Sequence, residues 1–83
     1  MKEIAVKKIP VSPNMYVLCV PDENSYYSFY LCHNKASAVL RLYGSTAVKD
    51  PGDDVLEYLA MEGFRAAQND YIKLHDFLEE REV

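Results

Sequence analysis

Hydrophobic positions change period about half-way along the chain. Between Met15 and Tyr43 the runs MYVLCV, YYSFYLCH and AVLRLY are short, rich in β-branched and aromatic residues, and separated by the turn-forming strings PDENS and NKAS. Beyond residue 50, Leu56, Ala60, Gly63, Phe64, Ala67, Tyr71, Leu74 and Leu78 recur at spacings of three and four, which is the apolar stripe of an amphipathic helix. The first pattern predicts a hairpin extended by a third strand, and the second a helix laid over it. Residues 2–9, KEIAVKKI, alternate partially with Ile4 and Val6 on one side and predict a short edge strand, ended by Pro10 and Pro13. The expected fold class is α+β: a small antiparallel sheet of three to four strands, packed on one face by a C-terminal helix or broken helix pair. One domain spans residues 1–83.

The turns predict a register. A four-residue loop from Asp22 to Ser25 sets Val20 opposite Tyr27, Leu18 opposite Phe29 and Tyr16 opposite Leu31; a second, from Asn34 to Ser37, sets Leu31 opposite Leu40 and Phe29 opposite Leu42. One face then collects Tyr16, Leu18, Val20, Tyr27, Phe29, Leu31, Leu40 and Leu42, the set expected beneath the helix, with Tyr71 as a further core tyrosine. The other carries Met15, Val17, Cys19, Tyr26, Ser28, Tyr30, Cys32, Val39, Arg41 and Tyr43, with Arg41 opposite Tyr30. Cys19 and Cys32 share this second face but are offset by ~13 Å at ~3.3 Å per residue, which is beyond disulfide reach. Free thiols are expected.

The helix start is signalled by Asp50 as N-cap, Pro51 at the first helical position and Asp53 facing the positive end of the dipole. A continuous helix from Pro51 to Glu80 would run ~45 Å, against ~20 to 27 Å for strands of six to eight residues. Either the helix breaks near Gln68, Asn69 and Asp70, or its overhang packs on a second protomer. Small residues at Ala60, Gly63 and Ala67 permit close approach to the sheet. Met61 and Ile72 fall off the stripe, on the nominally wet side.

Length sharpens the question of partners, because 83 residues leave room for one core only, and a marginal one unless a partner chain, a metal or disulfides assist. The composition, 49% apolar with 27% charged residues, is that of a soluble globule. The longest apolar run, Met15 to Val20, is far short of the ~20 residues that span a bilayer, and no secretory segment is visible. A cytoplasmic setting without membrane contact is the expectation, and two cysteines form no disulfide framework there. Net charge is −4, placed unevenly: +2 over residues 1–8, zero over 9–48 and −6 over 49–83, where ten acids meet four bases. Duplex nucleic acid is an unexpected partner for a chain so short of lysine and arginine. The C-terminal acids read as the solvated face of a helix or as a strip that docks on a basic partner.

The second sheet face carries aromatic and aliphatic side chains with a single charge. Tyrosine and arginine add large contact area and a directional polar tip, so Tyr26, Tyr30, Arg41 and Tyr43 form the candidate binding set. Alternatively the N-terminal segment or a loop covers this face, or the tyrosines stand singly in water. No nucleophile and base pair, phosphate loop or carboxylate pair is placed by a recognisable motif, so no catalytic residue is expected. His33 points away from Cys32 on a regular strand and His75 lies far off on the helix, so neither a metal nor a cofactor is expected. The function expected from these residues is a small protein-interaction module, self-associating as a homodimer through the tyrosine and arginine face. The alternative is a nucleic-acid-directed role, stacking single-stranded bases on those tyrosines or mimicking nucleic acid through the acidic helix.

The string YYSFYLCH, followed by a short turn, a strand ending at Gly44 and an acidic C-terminal helix, resembles a group of short proteins of gut Firmicutes that carry no assigned activity. The resemblance covers residues 26–80 and implies a bacterial cytosolic setting, without chemistry.

Overall fold

The computed structural model describes residues 6–35, 39–45, 49 and 51–81. Four strands, β1 (Lys7–Pro10), β2 (Met15–Pro21), β3 (Tyr27–His33) and β4 (Val39–Ser45), form an antiparallel sheet in sequence order, followed by helices α1 (Asp53–Asn69) and α2 (Tyr71–Arg81). The α+β class is the one the hydrophobic pattern predicts, and of the two arrangements left open for the C-terminal helix the broken pair is present. The edge strand starts later than expected, at Lys7, and Ile4 lies outside the described residues; Ile9 is its buried contribution.

The β3–β4 register agrees with expectation, Leu31 facing Leu40, Tyr30 facing Arg41 and Phe29 facing Leu42. Beyond Phe29 the ladder shifts, so that Ser28 pairs with Ser45 and Tyr43 and Gly44 fall in the irregularity. Glycine inside a strand commonly marks such a bulge, and here β4 runs through Gly44 instead of ending at it.

The β2–β3 register differs by one residue: Val17 faces Leu31, Leu18 faces Tyr30 and Cys19 faces Phe29. The cause is the turn, which takes five residues, Asp22 to Tyr26. The Asp22 carboxylate accepts hydrogen bonds from the Asn24 and Tyr26 amides at 2.8 and 3.1 Å, its own amide donates to the Tyr26 carbonyl at 2.8 Å, and Ser25 adopts a left-handed φ of 69°. A one-residue slip reverses every side chain of a strand. Val17 and Cys19 therefore enter the core with no exposed surface, and Tyr16, Leu18 and Val20, expected beneath the helix, stand on the other face.

The core lies between one sheet face and α1. Ile9, Val17, Cys19, Phe29, Leu31 and Leu42 meet Leu56, Ala60, Phe64 and Ala67, with Tyr27, Leu40 and Leu74 packed at the margin. An added Cβ at Gly63 would lie 3.0 Å from Leu42 Cδ1, so glycine permits this close approach of helix to sheet. Lys7 Nζ and the Asp53 carboxylate, 3.2 Å apart, tie the sheet edge to the first turn of α1.

α1 begins at Asp53, with Gly52 in the N-cap position and its carbonyl accepting from the Leu56 amide at 3.0 Å; Asp50, the expected cap, lies outside the described residues. Of the two alternatives, the break is present, at Asp70, whose ψ of 81° leaves the helical region. Its amide closes α1 on the Ala66 carbonyl at 2.9 Å, while its carboxylate and carbonyl accept from Lys73 and Leu74 at 3.4 and 3.3 Å and open α2. The seventeen residues of α1 then span ~25 Å, matching the ~23 Å of a seven-residue strand. The break also turns the apolar stripe: Tyr71 is 73% exposed, against the expectation of a core position, and Phe77 is buried instead.

Candidate functional site

Alternation along four strands leaves a second sheet face that neither helix covers. In cross-strand order one row is Lys8, Leu18, Tyr30 and Arg41, and the next is Pro10, Tyr16, Cys32 and Val39, with Val20 and Ser28 paired above them. Leu18, Val20, Tyr16 and Tyr30 are half-buried; Lys8, Val39 and Arg41, on the two edge strands, are exposed. No carboxylate occupies this face among the described residues, and its two charges are both positive.

Of the expected binding residues, the ladder brings Tyr30 and Arg41 together as direct partners. Tyr26 sits in the β2–β3 turn, half-buried, with Lys49 Nζ 5.9 Å from its ring centroid. Tyr43 belongs to β4 at the bulge, and its side chain lies outside the described set. The register gives this face two residues that the sequence reading placed elsewhere or passed over: Tyr16, assigned to the core, and Lys8, whose ammonium lies 4.2 Å from the Tyr16 ring centroid. The signal for Tyr16 was the Asp22 carboxylate, which can close a longer turn than the four residues assumed.

The cysteines fall on opposite faces, correcting the shared face read from the sequence, and both are free and buried. Burial raises the Cys19 thiol to about 11, against a small opposing effect of Lys7. Cys32 is raised by burial too, opposed by a hydrogen bond with Tyr16 and by the charge of Lys8, and its Sγ lies 3.7 Å from the Tyr30 carbonyl. The neighbouring Cys32 raises Tyr16 in turn, followed by partial burial. At neutral pH the thiols are protonated, and neither is an activated nucleophile.

His75 on α2 is bracketed by carboxylates, Nε2 lying 3.5 Å from Glu79 and Nδ1 4.0 Å from Asp76. One ligand atom from each of His75, Asp76 and Glu79 lies within 4.8 Å of the others, but all three residues are exposed, and exposed acidic groups commonly cluster in this way without an ion. A crevice between β4 and the helices, lined by Leu42, Gly63, Ala67 and Asp70, holds about 10 Å³, room for one water at most. No described helix is long and apolar enough to cross a membrane. No family model, no curated protein and no solved structure matches the chain.

Proposed function

We propose that the chain is a small protein-interaction module that self-associates through its open sheet face. The observation that carries this reading is the row Lys8, Leu18, Tyr30, Arg41: aliphatic and aromatic side chains at the centre, one cation at each edge and no carboxylate. Antiparallel sheets that face water on one side normally alternate apolar with polar residues, and this one places Tyr16, Leu18 and Val20 where polar residues belong. The face, ~19 Å across four strands and ~20 Å along them, is well below the ~800 Å² per partner of a standard stable interface, so association is weak and dependent on concentration. Sedimentation equilibrium from micromolar to millimolar concentration tests this. The wild type is expected to gain average mass with concentration and Tyr30→Asp to stay monomeric; two monomers would overturn self-association.

A second reading is supported by Lys8 over Tyr16 and by Arg41 beside Tyr30, because ring and cation pairs also stack single-stranded bases. It is the weaker reading because Leu18, Val20 and Val39 occupy much of the surface. Salt-sensitive binding of short single strands, read by fluorescence anisotropy at low salt, would move the assignment to nucleic acid.

A further inference from the structure

We infer that the self-association is head-to-tail: the open sheet face of one copy takes the outer strip of α1 of a second copy. The inference rests on the interaction reading above and adds which surface the sheet face meets.

From Asp53 to Phe64, α1 holds four acids and no base. Opposite its buried line, Leu56, Ala60, Phe64 and Ala67, it presents Asp54, Tyr58 and Glu62 at successive i, i+4 positions. Tyr58 is 65% exposed, and Val55 beside it 47%. The strip is thus an aromatic ring between two carboxylates. The sheet row is its complement, an apolar and aromatic centre between two cations.

The dimensions agree. Lys8 and Arg41 stand three strand spacings apart, ~14 Å, and Asp54 and Glu62 eight helical residues apart, ~12 Å. Laid across the strands, α1 of one copy brings a carboxylate to each cation of the other and sets Tyr58 over Leu18 and Tyr30. Asp54 has no cation within ion-pair distance among the described residues. Glu62 holds Arg65 at 2.7 Å through Oε1, and a carboxylate has a second oxygen to offer.

Sheet-to-sheet packing of two copies has no such match. Both faces carry Lys8 and Arg41 with no carboxylate among the described residues, so a two-fold contact gives these cations no opposite charge to meet. A head-to-tail contact does not close on itself as a dimer, so it propagates as concentration rises. It also weakens as salt screens the charges.

Charge exchange tests the arrangement. Lys8→Glu/Arg41→Glu makes both surfaces negative, and Asp54→Lys/Glu62→Lys makes both positive. All four positions are exposed, and circular dichroism checks each fold; Arg41→Glu alone serves if the first pair fails to fold. The expected result in sedimentation velocity is that each variant alone is monomeric and an equimolar mixture co-associates at least as strongly as wild type. If Asp54→Lys/Glu62→Lys alone associates like wild type, the helix strip is not the partner and the head-to-tail arrangement is overturned, while the sheet face remains a contact surface. If wild type itself never associates, the self-association reading falls with it.

Discussion

Val17 and Leu18 are neighbours on β2, yet Val17 has no exposed surface and Leu18 is half-buried. The same contrast separates Cys19 from Val20 and Phe29 from Tyr30; Cys32, buried on the open face, is the exception. Beneath α1, side chains interlock from two layers, and even the backbone approach at Gly63 is close. On the other face, Tyr16, Leu18, Val20 and Tyr30 are as apolar yet only half-buried, and none of them belongs to the core cluster. Hydrophobicity alone therefore does not make a core here; a second layer does, and β2 offers apolar side chains to both sides. A strand that is apolar on both faces reads as one meant to be covered on both.

The covered face should be the sensitive one. Leu31, without exposed surface at the centre of the cluster, is expected to lose about 3 to 4 kcal/mol when changed to Ala, whereas Leu18→Ala should cost about 1 kcal/mol. For a domain of this size, whose whole stability is about 4 to 12 kcal/mol, urea unfolding separates these outcomes readily. Equal losses would erase the distinction between the faces.

Alkali should act through the covered face. Cys19 is held protonated to about 11 by burial, whereas in the unfolded chain it ionises in the ordinary thiol range near 9. The folded pKa is the raised one, so the contribution is intact below pH 9 and is lost as pH rises towards 11, by about 3 kcal/mol in all. Cys19→Ala should lower stability at pH 7 but flatten this decline. An unchanged decline in the variant would place its cause elsewhere.

The smallest expected effect is at the helix–sheet contact. Gly63→Ala gains about 1 kcal/mol of helix propensity but sets a methyl group 3.0 Å from Leu42 Cδ1, so the two effects nearly cancel. Gly63→Val should be clearly destabilising by thermal unfolding. A stabilised Gly63→Val would mean that the contact has slack.

How much of this was legible in the sequence follows from the same contrast. The helix stripe could be read, and so could the β3–β4 register, because Leu40 and Leu42 flank a charged Arg41 and only one pairing buries the leucines; the break at Asp70 was one of two arrangements that helix length left open. The β2–β3 register could not. Met15, Val17 and Cys19 are as apolar as Tyr16, Leu18 and Val20, so the pattern favours neither face and turn length alone decides. That length depends on the Asp22 side chain and on a left-handed Ser25, a conformation more often taken by Gly or Asn. The helix phase beyond Asp70 was lost for a related reason, since a break resets the periodicity and exchanges Tyr71 for Phe77. For the candidate site, Tyr30 opposite Arg41 was visible from strand pairing, whereas Tyr16 and Lys8 joined it only with the true register.

Val17→Asp and Leu18→Asp, measured side by side for unfolding and for association, test most directly whether adjacent residues of one strand serve a core and a contact surface. Val17→Asp is expected to abolish the cooperative unfolding transition. Leu18→Asp is expected to unfold cooperatively, within about 1 kcal/mol of wild type, and to remain monomeric where wild type associates. A folded Val17→Asp beside an unfolded Leu18→Asp, or a Leu18→Asp that associates like wild type, would contradict the division.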